Sequence, residues 1–402
     1  MSSRRRVLIV TYTDIDKASD GKSVVMKNII SFYRSKNYLI RIVSIDGGNK
    51  NQDECIRFDR PKPLVILIRL IFRGILQGRP LQSAFFFSSD IKRKINKEAE
   101  SFAPDILLID TCRIFDLIED KFHNLSVVFY DDLYSKRLSD QLRMNIPFSS
   151  LGRFSLNSKV FDFFYENLGK HLVRWIVRRE IVLTRQLEIY VARNSKRQIL
   201  LNENEVVQLK QESMSENVVK IRPVFPDANL KAVEVKNQIV FFGALDKTHN
   251  TDGLIDFISN EFKRLIESDP SINLVIIGGG APKELVEIFL NNKNIKYLGY
   301  VDDLGRNLQE SIALIAPMTF GTGIKIKVIE ALSYGLPVIT NNVGAEGLEN
   351  ISESGIFYGG NYLDSFKKIK EDRDLYSEMG IKYFSKYYSS SSNMHKYDVV
   401  LG

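Results

Sequence analysis

Short apolar runs of four to six residues alternate with longer stretches of helical periodicity along most of the chain. Residues 7–11 read as a buried strand, 23–34 as a helix and 38–45 as a second strand with alternating apolar positions, an opening βαβ unit. Residues 105–110 (DILLID) and 127–130 predict further strands. Helices with interleaved basic positions fill 150–215, with Val191-Ala192 and 198–201 as the last strands of this half. Pro223 and Pro226 mark a linker over 221–227. Beyond it, strands are predicted at 238–242, 274–280, 295–300, 314–318 and 338–340, and a final aromatic helix at 383–401. Gly243 reads as a tight turn and Asn250 to Gly253 as a helix cap. Strands alternating with helices predict an α/β protein with parallel sheets.

The most informative stretch is 320–348, FGTGIKIKVIEALSYGLPVITNNVGAEGL. An apolar strand ending at Pro317-Met318 leads into Gly321, Thr322 and Gly323, and a helix is predicted to start near Ile324. Gly335 and Pro337 end it before the next strand. A helix N-terminus beside Lys325 and Lys327 is a site for an anion, phosphate above all. Glu330 lies further along the same helix, placed to accept hydrogen bonds from a sugar hydroxyl.

Gly321, Gly323, Lys327, Glu330-Ala331-Leu332, Gly335-Leu336-Pro337-Val338 and Gly344-Ala345-Glu346-Gly347-Leu348 together resemble the C-terminal signature of glycosyltransferase family 4. Its members are retaining nucleotide-sugar transferases of the GT-B fold, two Rossmann-like domains facing each other across a cleft. The resemblance implies that Glu330 holds the ribose and that Tyr300 and Val301 meet the nucleobase. It also implies that the loop with Gly21 and Lys22 contacts donor phosphate or acceptor. Two family positions differ. Thr322 stands where many members have a second glutamate, and Ala244, Leu245 and Asn250 stand where an arginine and a lysine bind the diphosphate. The phosphate charge then falls to Lys325, Lys327 and the helix N-termini near Gly243, Gly323 and Ile324. The resemblance is strong over about 238–385 and thin before it. It implies an N-terminal acceptor domain over 1–223, a nucleotide-sugar domain over 224–382 and a C-terminal helix, 383–402, crossing back to the first domain.

Composition fits two such domains. The 402 residues are 44% hydrophobic, and Cys55 and Cys112 are too few for a disulfide framework. The four scattered histidines show no metal-ligand spacing, so no metal or other cofactor is expected beyond the nucleotide diphosphate sugar as donor substrate. Arg4 to Arg6 and a short apolar run, with Asp14 and Asp16 following, read as the first strand of a cytoplasmic protein and not as a signal peptide. Charge is unevenly spread. Residues 1–223 hold 38 Lys+Arg against 26 Asp+Glu, net +12, and the remainder 18 against 23, net −5. A basic half points to an anionic partner, and no nucleic-acid motif accompanies it, so nucleic acid is the weaker choice.

Several N-terminal features have two readings. Asp20-Gly21-Lys22-Ser23 suggests a phosphate-binding loop, but Asp16 occupies the position of the first Walker glycine, and a turn with a cap at Ser19 or Asp20 serves equally. Residues 63–76, PLVILIRLIFRGIL, are too short and too charged to span a bilayer. With Arg69 and Arg73 spaced i,i+4 they fit either a basic amphipathic stretch on a membrane surface or core packing under solvated arginines. Asp131 and Asp132 follow a strand end and are candidates for acceptor activation, adjacent carboxylates raising one another's pKa; the alternative is an Asx cap. His123 is a weaker candidate. The whole is read as a transferase carrying sugar from a nucleotide diphosphate sugar to a glycan acceptor in bacterial surface polysaccharide assembly. The acceptor is expected to be polyprenyl-diphosphate-linked, with the enzyme peripheral on the inner, anionic face of the plasma membrane. A GT-B sugar-nucleotide epimerase and a non-catalytic nucleotide-binding subunit remain as alternatives.

Overall fold

The computed structural model describes residues 4–12, 21–45, 55–58, 62–143, 158–246, 248–319, 324–359 and 361–401. The chain divides into two compact units, residues 1–223 with 400–402, and residues 224–399. The first contains a seven-stranded sheet. Its strands are β1 (Arg6–Thr11), β2 (Leu39–Ser44), β3 (Cys55–Arg57), β4 (Ile106–Asp110), β5 (Ser126–Asp131), β6 (Arg197–Leu200) and β7 (Val218–Lys220). All neighbours pair in parallel, in the order β3-β2-β1-β4-β5-β6-β7. The second unit repeats the plan with six strands, β8 (Gln238–Phe242), β9 (Asn273–Ile277), β10 (Ile295–Gly299), β11 (Ala313–Ala316), β12 (Val338–Thr340) and β13 (Ile356–Phe357). Their order is β10-β9-β8-β11-β12-β13, again all parallel.

Both units are therefore Rossmann-like α/β units. The central strands are legible as continuous apolar runs because helices cover both faces: Val7 to Val10 and Leu314 to Ala316 are fully buried. Strand order reverses between β1 and β4 and between β8 and β11, so the ends of those strands border each unit's crevice. Each unit has its own core, with Leu8, Leu107 and Val128 in one and Phe241, Leu274 and Ile315 in the other.

Three expectations change here. Val191 and Ala192 are not a strand but the buried face of a long helix, Ser158–Asn194, packed with Leu187 against the first core. The short strands β3, β7 and β13, of two or three residues, were not expected. The final helix is broken. Arg373–Tyr387 stops where Ser389 extends to pair with Phe225, through Phe225 N–H to Tyr388 O at 2.9 Å and Ser390 N–H to Phe225 O at 2.8 Å. After the break, Ser390–Asn393 and Tyr397–Leu401 form separate short helices, and Leu401 O accepts from Tyr33 in the first unit at 3.3 Å. No helix among the described residues is long and apolar enough to cross a membrane.

Candidate active site

In the second unit, the turn after β8 and the helix Ile326–Ser333 bring a lysine, an asparagine and a glutamate to the switch-point end of the sheet. The helix starts two residues later than expected. Lys325 is its N-cap in extended conformation, and Val328 N–H closes the first turn on Lys325 O at 2.9 Å. Lys327 thus lies within the first turn, where free N–H groups and an ammonium act on the same anion. Lys325 is buried, not part of a solvated face. Gly321, Thr322 and Gly323 lie outside the described residues, and Ile324 is buried just before the cap.

Lys327 Nζ donates to Asn250 Oδ1 at 2.6 Å and stands 4.8 Å over the Phe241 ring. Asn250 is not the cap expected of it, because its helix, Thr248–Ser259, begins earlier; its amide instead donates to Ala244 O at 2.9 Å and aims its oxygen at the lysine. Gly243 makes the arrangement possible. Its φ is +152°, and a Cβ there would stand 3.1 Å from the Asn250 amide nitrogen and 3.2 Å from Lys327 Nζ. Gly253 has a similar role, since a Cβ would meet Pro317 O at 1.9 Å and push the Asn250 helix away from β11.

The electrostatics of this cradle are unbalanced. Burial, with Lys325 adding repulsion, lowers the Lys327 pKa to about 7. Asn250 offers it an oxygen and no charge. Glu330, one turn further along, makes no hydrogen bond or ion pair through its side chain among the described residues, and burial raises its pKa. A lysine short of counter-charge beside a carboxylate short of donors can take a phosphate and a diol respectively. Tyr300 and Val301 follow the edge strand β10, and the Tyr300 ring is 84% exposed.

The first unit's sheet end is built differently. Asp131 closes β5 in the left-handed region, φ +69°, half-buried, while Asp132 is buried and accepts from Arg137 Nε at 2.6 Å and Nη2 at 2.5 Å. Burial opposes the charge on Arg137, and Asp132 with Asp131 outweighs it and pushes its pKa up. Both aspartates therefore act on one guanidinium at the end of β5. Glu205, fully buried in the Glu203–Ser213 helix, is a carboxyl raised to about 8, by burial first and Asp132 second. Arg113 was also missed. Its guanidinium donates to Thr111 Oγ1 at 3.0 Å, to Tyr12 OH at 3.1 Å and to Gln82 Oε1, and lies over the Tyr12 and Tyr134 rings. Thr111 has φ +85°, costly for a β-branched residue, which is the mark of a constrained loop end. Gly21 begins the Gly21–Ser35 helix, and the residues before it, 13–20, lie outside the described ones. His123 is misplaced for acceptor chemistry: it sits in a turn before β5, at the opposite end of the strand, with its ring on Phe115.

Residues 236–368 match the family model of the glycosyl transferases group 1. The stretch that is similar to the group 1 glycosyltransferases thus lies within the second unit. An uncharacterized 44.6 kDa protein in the cps region of Klebsiella pneumoniae is 28% identical over 116 residues, 27% of this chain. The match spans 30% of that relative's length. Among solved structures, sucrose-phosphate synthase of Thermosynechococcus elongatus is similar over 99% of this chain and 98% of its own, with 13% identity and a TM-score of 0.65. HepE of Anabaena, solved in complex with UDP and glucose, is similar over 99% of both chains, with 13% identity and a TM-score of 0.64. At such identities the likeness is one of fold, that of the GT-B class. The cradle residues Gly243, Asn250, Lys327 and Glu330 all fall inside the stretch matched as a glycosyltransferase domain.

Proposed function

We propose that the chain is a retaining glycosyltransferase moving a sugar from a nucleotide diphosphate sugar to a glycan hydroxyl. The observation that carries this reading is the Lys327–Asn250 contact at the N-terminus of a helix that also presents Glu330. Lys327 stabilises the diphosphate as negative charge develops on the leaving group, helped by the helix N-terminus, and Glu330 holds the ribose. UDP-sugars are the first donors to try, because the Anabaena protein of the same fold binds UDP and glucose. The relative in a cps region supports a polysaccharide acceptor, and the net +12 charge of residues 1–223 supports one carried on a polyprenyl diphosphate at the anionic inner face of the plasma membrane.

Calorimetry and thermal shift with the nucleoside diphosphates test the donor site. A ligand at 100 times its dissociation constant adds about 2.7 kcal/mol of stability. Proton NMR of the glycoside product then reads the anomeric configuration, and inversion would overturn the retaining assignment. Turnover of donor without any acceptor would favour the epimerase reading, and binding with no turnover the non-catalytic one.

A further inference from the structure

The helix Pro63–Arg69 runs directly into a π-helical stretch, Leu70–Leu76, and turns its apolar side chains outward. Leu64, Leu67, Ile68, Phe72, Ile75 and Leu76 are each more than half exposed. Arg73 points the other way, and Arg69 is half-buried. Arg73 reaches Asp116 at 3.1 Å and stacks 3.4 Å from the centre of the Phe87 ring, and Arg69 and Arg73 line an open groove of about 450 Å³ with Phe72 and Phe87. Of the two readings of this stretch, solvated arginines over a packed apolar face is the one these exposures do not fit. Gly74 is buried on the inner side, where a Cβ would press on the end of the Leu81 side chain at 2.7 Å. The widened turn, Gln77 N–H to Phe72 O at 3.0 Å, carries the apolar side further round.

A neighbouring helix extends the patch. Arg179 of Ser158–Asn194 donates to Gly74 O at 2.7 Å, which places Trp175, one turn earlier, on the same side; the indole is 60% exposed. Lys62, Arg79, Arg174 and Arg178 are exposed around these residues. Of the acids facing them, Asp116 is held by Arg73, Asp90 by Arg93, and Glu180 is buried, accepting the Leu81 N–H at 2.8 Å. Exposed aliphatic side chains, an indole and a basic rim are the chemistry of an anionic bilayer surface. Exposed apolar side chains in such number on one stretch mark an interaction surface, and a second copy would set one positive rim against another.

We propose that residues 63–76, together with Trp175, lie in the headgroup–acyl boundary of an anionic phospholipid bilayer and hold the chain there by insertion. The inference rests on the reading of a membrane-held acceptor and deepens it: attachment is chiefly apolar, with the charges orienting the face. Trp175 is the chain's one tryptophan, so its emission reports the event directly. The full chain should sediment with phosphatidylglycerol–phosphatidylcholine vesicles, with a blue shift of Trp175 emission and quenching by brominated acyl chains. High salt should weaken binding only a few-fold, because burial of apolar surface is not screened as charge is. Phe72→Ser/Ile75→Ser, at exposed positions that leave the core intact, should weaken it at least about tenfold at either salt. A wild type that stays in the supernatant with unshifted emission overturns the proposal, as does complete release by salt. Light scattering that shows a dimer for wild type and a monomer for the double variant assigns the patch to a second copy and overturns it too. UDP calorimetry on the same samples keeps the two readings apart: vesicle binding without nucleotide binding sinks the transferase and leaves the insertion, and the reverse result sinks the insertion alone.

Discussion

The C-terminal ends of the two sheets share a topology and differ in how their charges are satisfied. In the first unit Arg113 is engaged by Thr111, Tyr12 and Gln82, and Arg137 by Asp132. In the second, Lys327 has a neutral amide for a partner, and the Glu330 carboxylate has none among the described residues. The partners of Arg113 are neutral as well, but three acceptors and two rings close around its guanidinium where Lys327 has one of each. A buried charge with few partners costs folding free energy and persists where a ligand completes it. On the proposed reading the lysine cradle takes the donor's diphosphate, and the Arg113 cluster holds its loop in place.

The largest effect that can break this contrast is on turnover. Lys327→Ala removes the charge proposed to stabilise the leaving diphosphate and should lower the transfer rate by about 10²–10³-fold, the range for one lost donor to a developing anion. Asn250→Ala should act in the same direction and less strongly, since it leaves the ammonium in place. Wild-type turnover by Lys327→Ala in a radiolabelled-donor assay would remove the cradle from the chemistry.

Next comes nucleotide affinity. Glu330→Ala should weaken nucleoside diphosphate binding by about 1.5–3 kcal/mol in calorimetry, the scale for hydrogen bonds to a charged acceptor, with an unchanged melting profile of the free protein. Glu330 and Lys327 were legible in sequence because glycine turn, helix and strand stood in order around them, and the buried runs β8, β11 and β12 were legible for the same reason. Arg113 was not. It lies in CRIFDL, a segment with no motif, and its partners Tyr12, Gln82 and Thr111 come from distant parts of the chain and meet only once the sheet is built. For residues 63–76 two readings stayed open in sequence. Their period was readable, but which side meets the rest of the unit is set by contacts with distant segments, Arg73 with Asp116 and Gly74 O with Arg179.

A third test works in the first unit. Arg137→Ala leaves the buried Asp132 carboxylate without its guanidinium and should cost roughly 1–3 kcal/mol in urea unfolding. The lower part of that range is expected because the Arg137 side chain is 36% exposed and water partly replaces it. UDP affinity should stay within about twofold, the two charges lying in different units. Loss of UDP binding in this variant would mean that the first unit's cluster is part of the donor site and not a closed frame.

The last test separates the two ends by the sign of a pH slope. Glu205 is raised in the folded chain to about 8, well above its unfolded value, so the native state binds the extra proton between those values. Its contribution is fully present below the unfolded pKa, near pH 4, and is lost as pH rises through about 8. Lys327 is lowered to about 7, so between there and its unfolded value the unfolded chain binds the extra proton, and stability rises with pH. Each group contributes at most about 1.4 kcal/mol per pH unit. Urea unfolding from pH 5 to pH 9 should therefore lose its acid-side slope in Glu205→Gln and its alkaline rise in Lys327→Met. A bound diphosphate favours the charged lysine and should reverse the second term, with proton uptake on UDP binding at pH 8 that differs between buffers of different ionisation heat. No such uptake in wild type, or the same uptake in Lys327→Met, would place the phosphate away from this lysine and leave the two sheet ends alike.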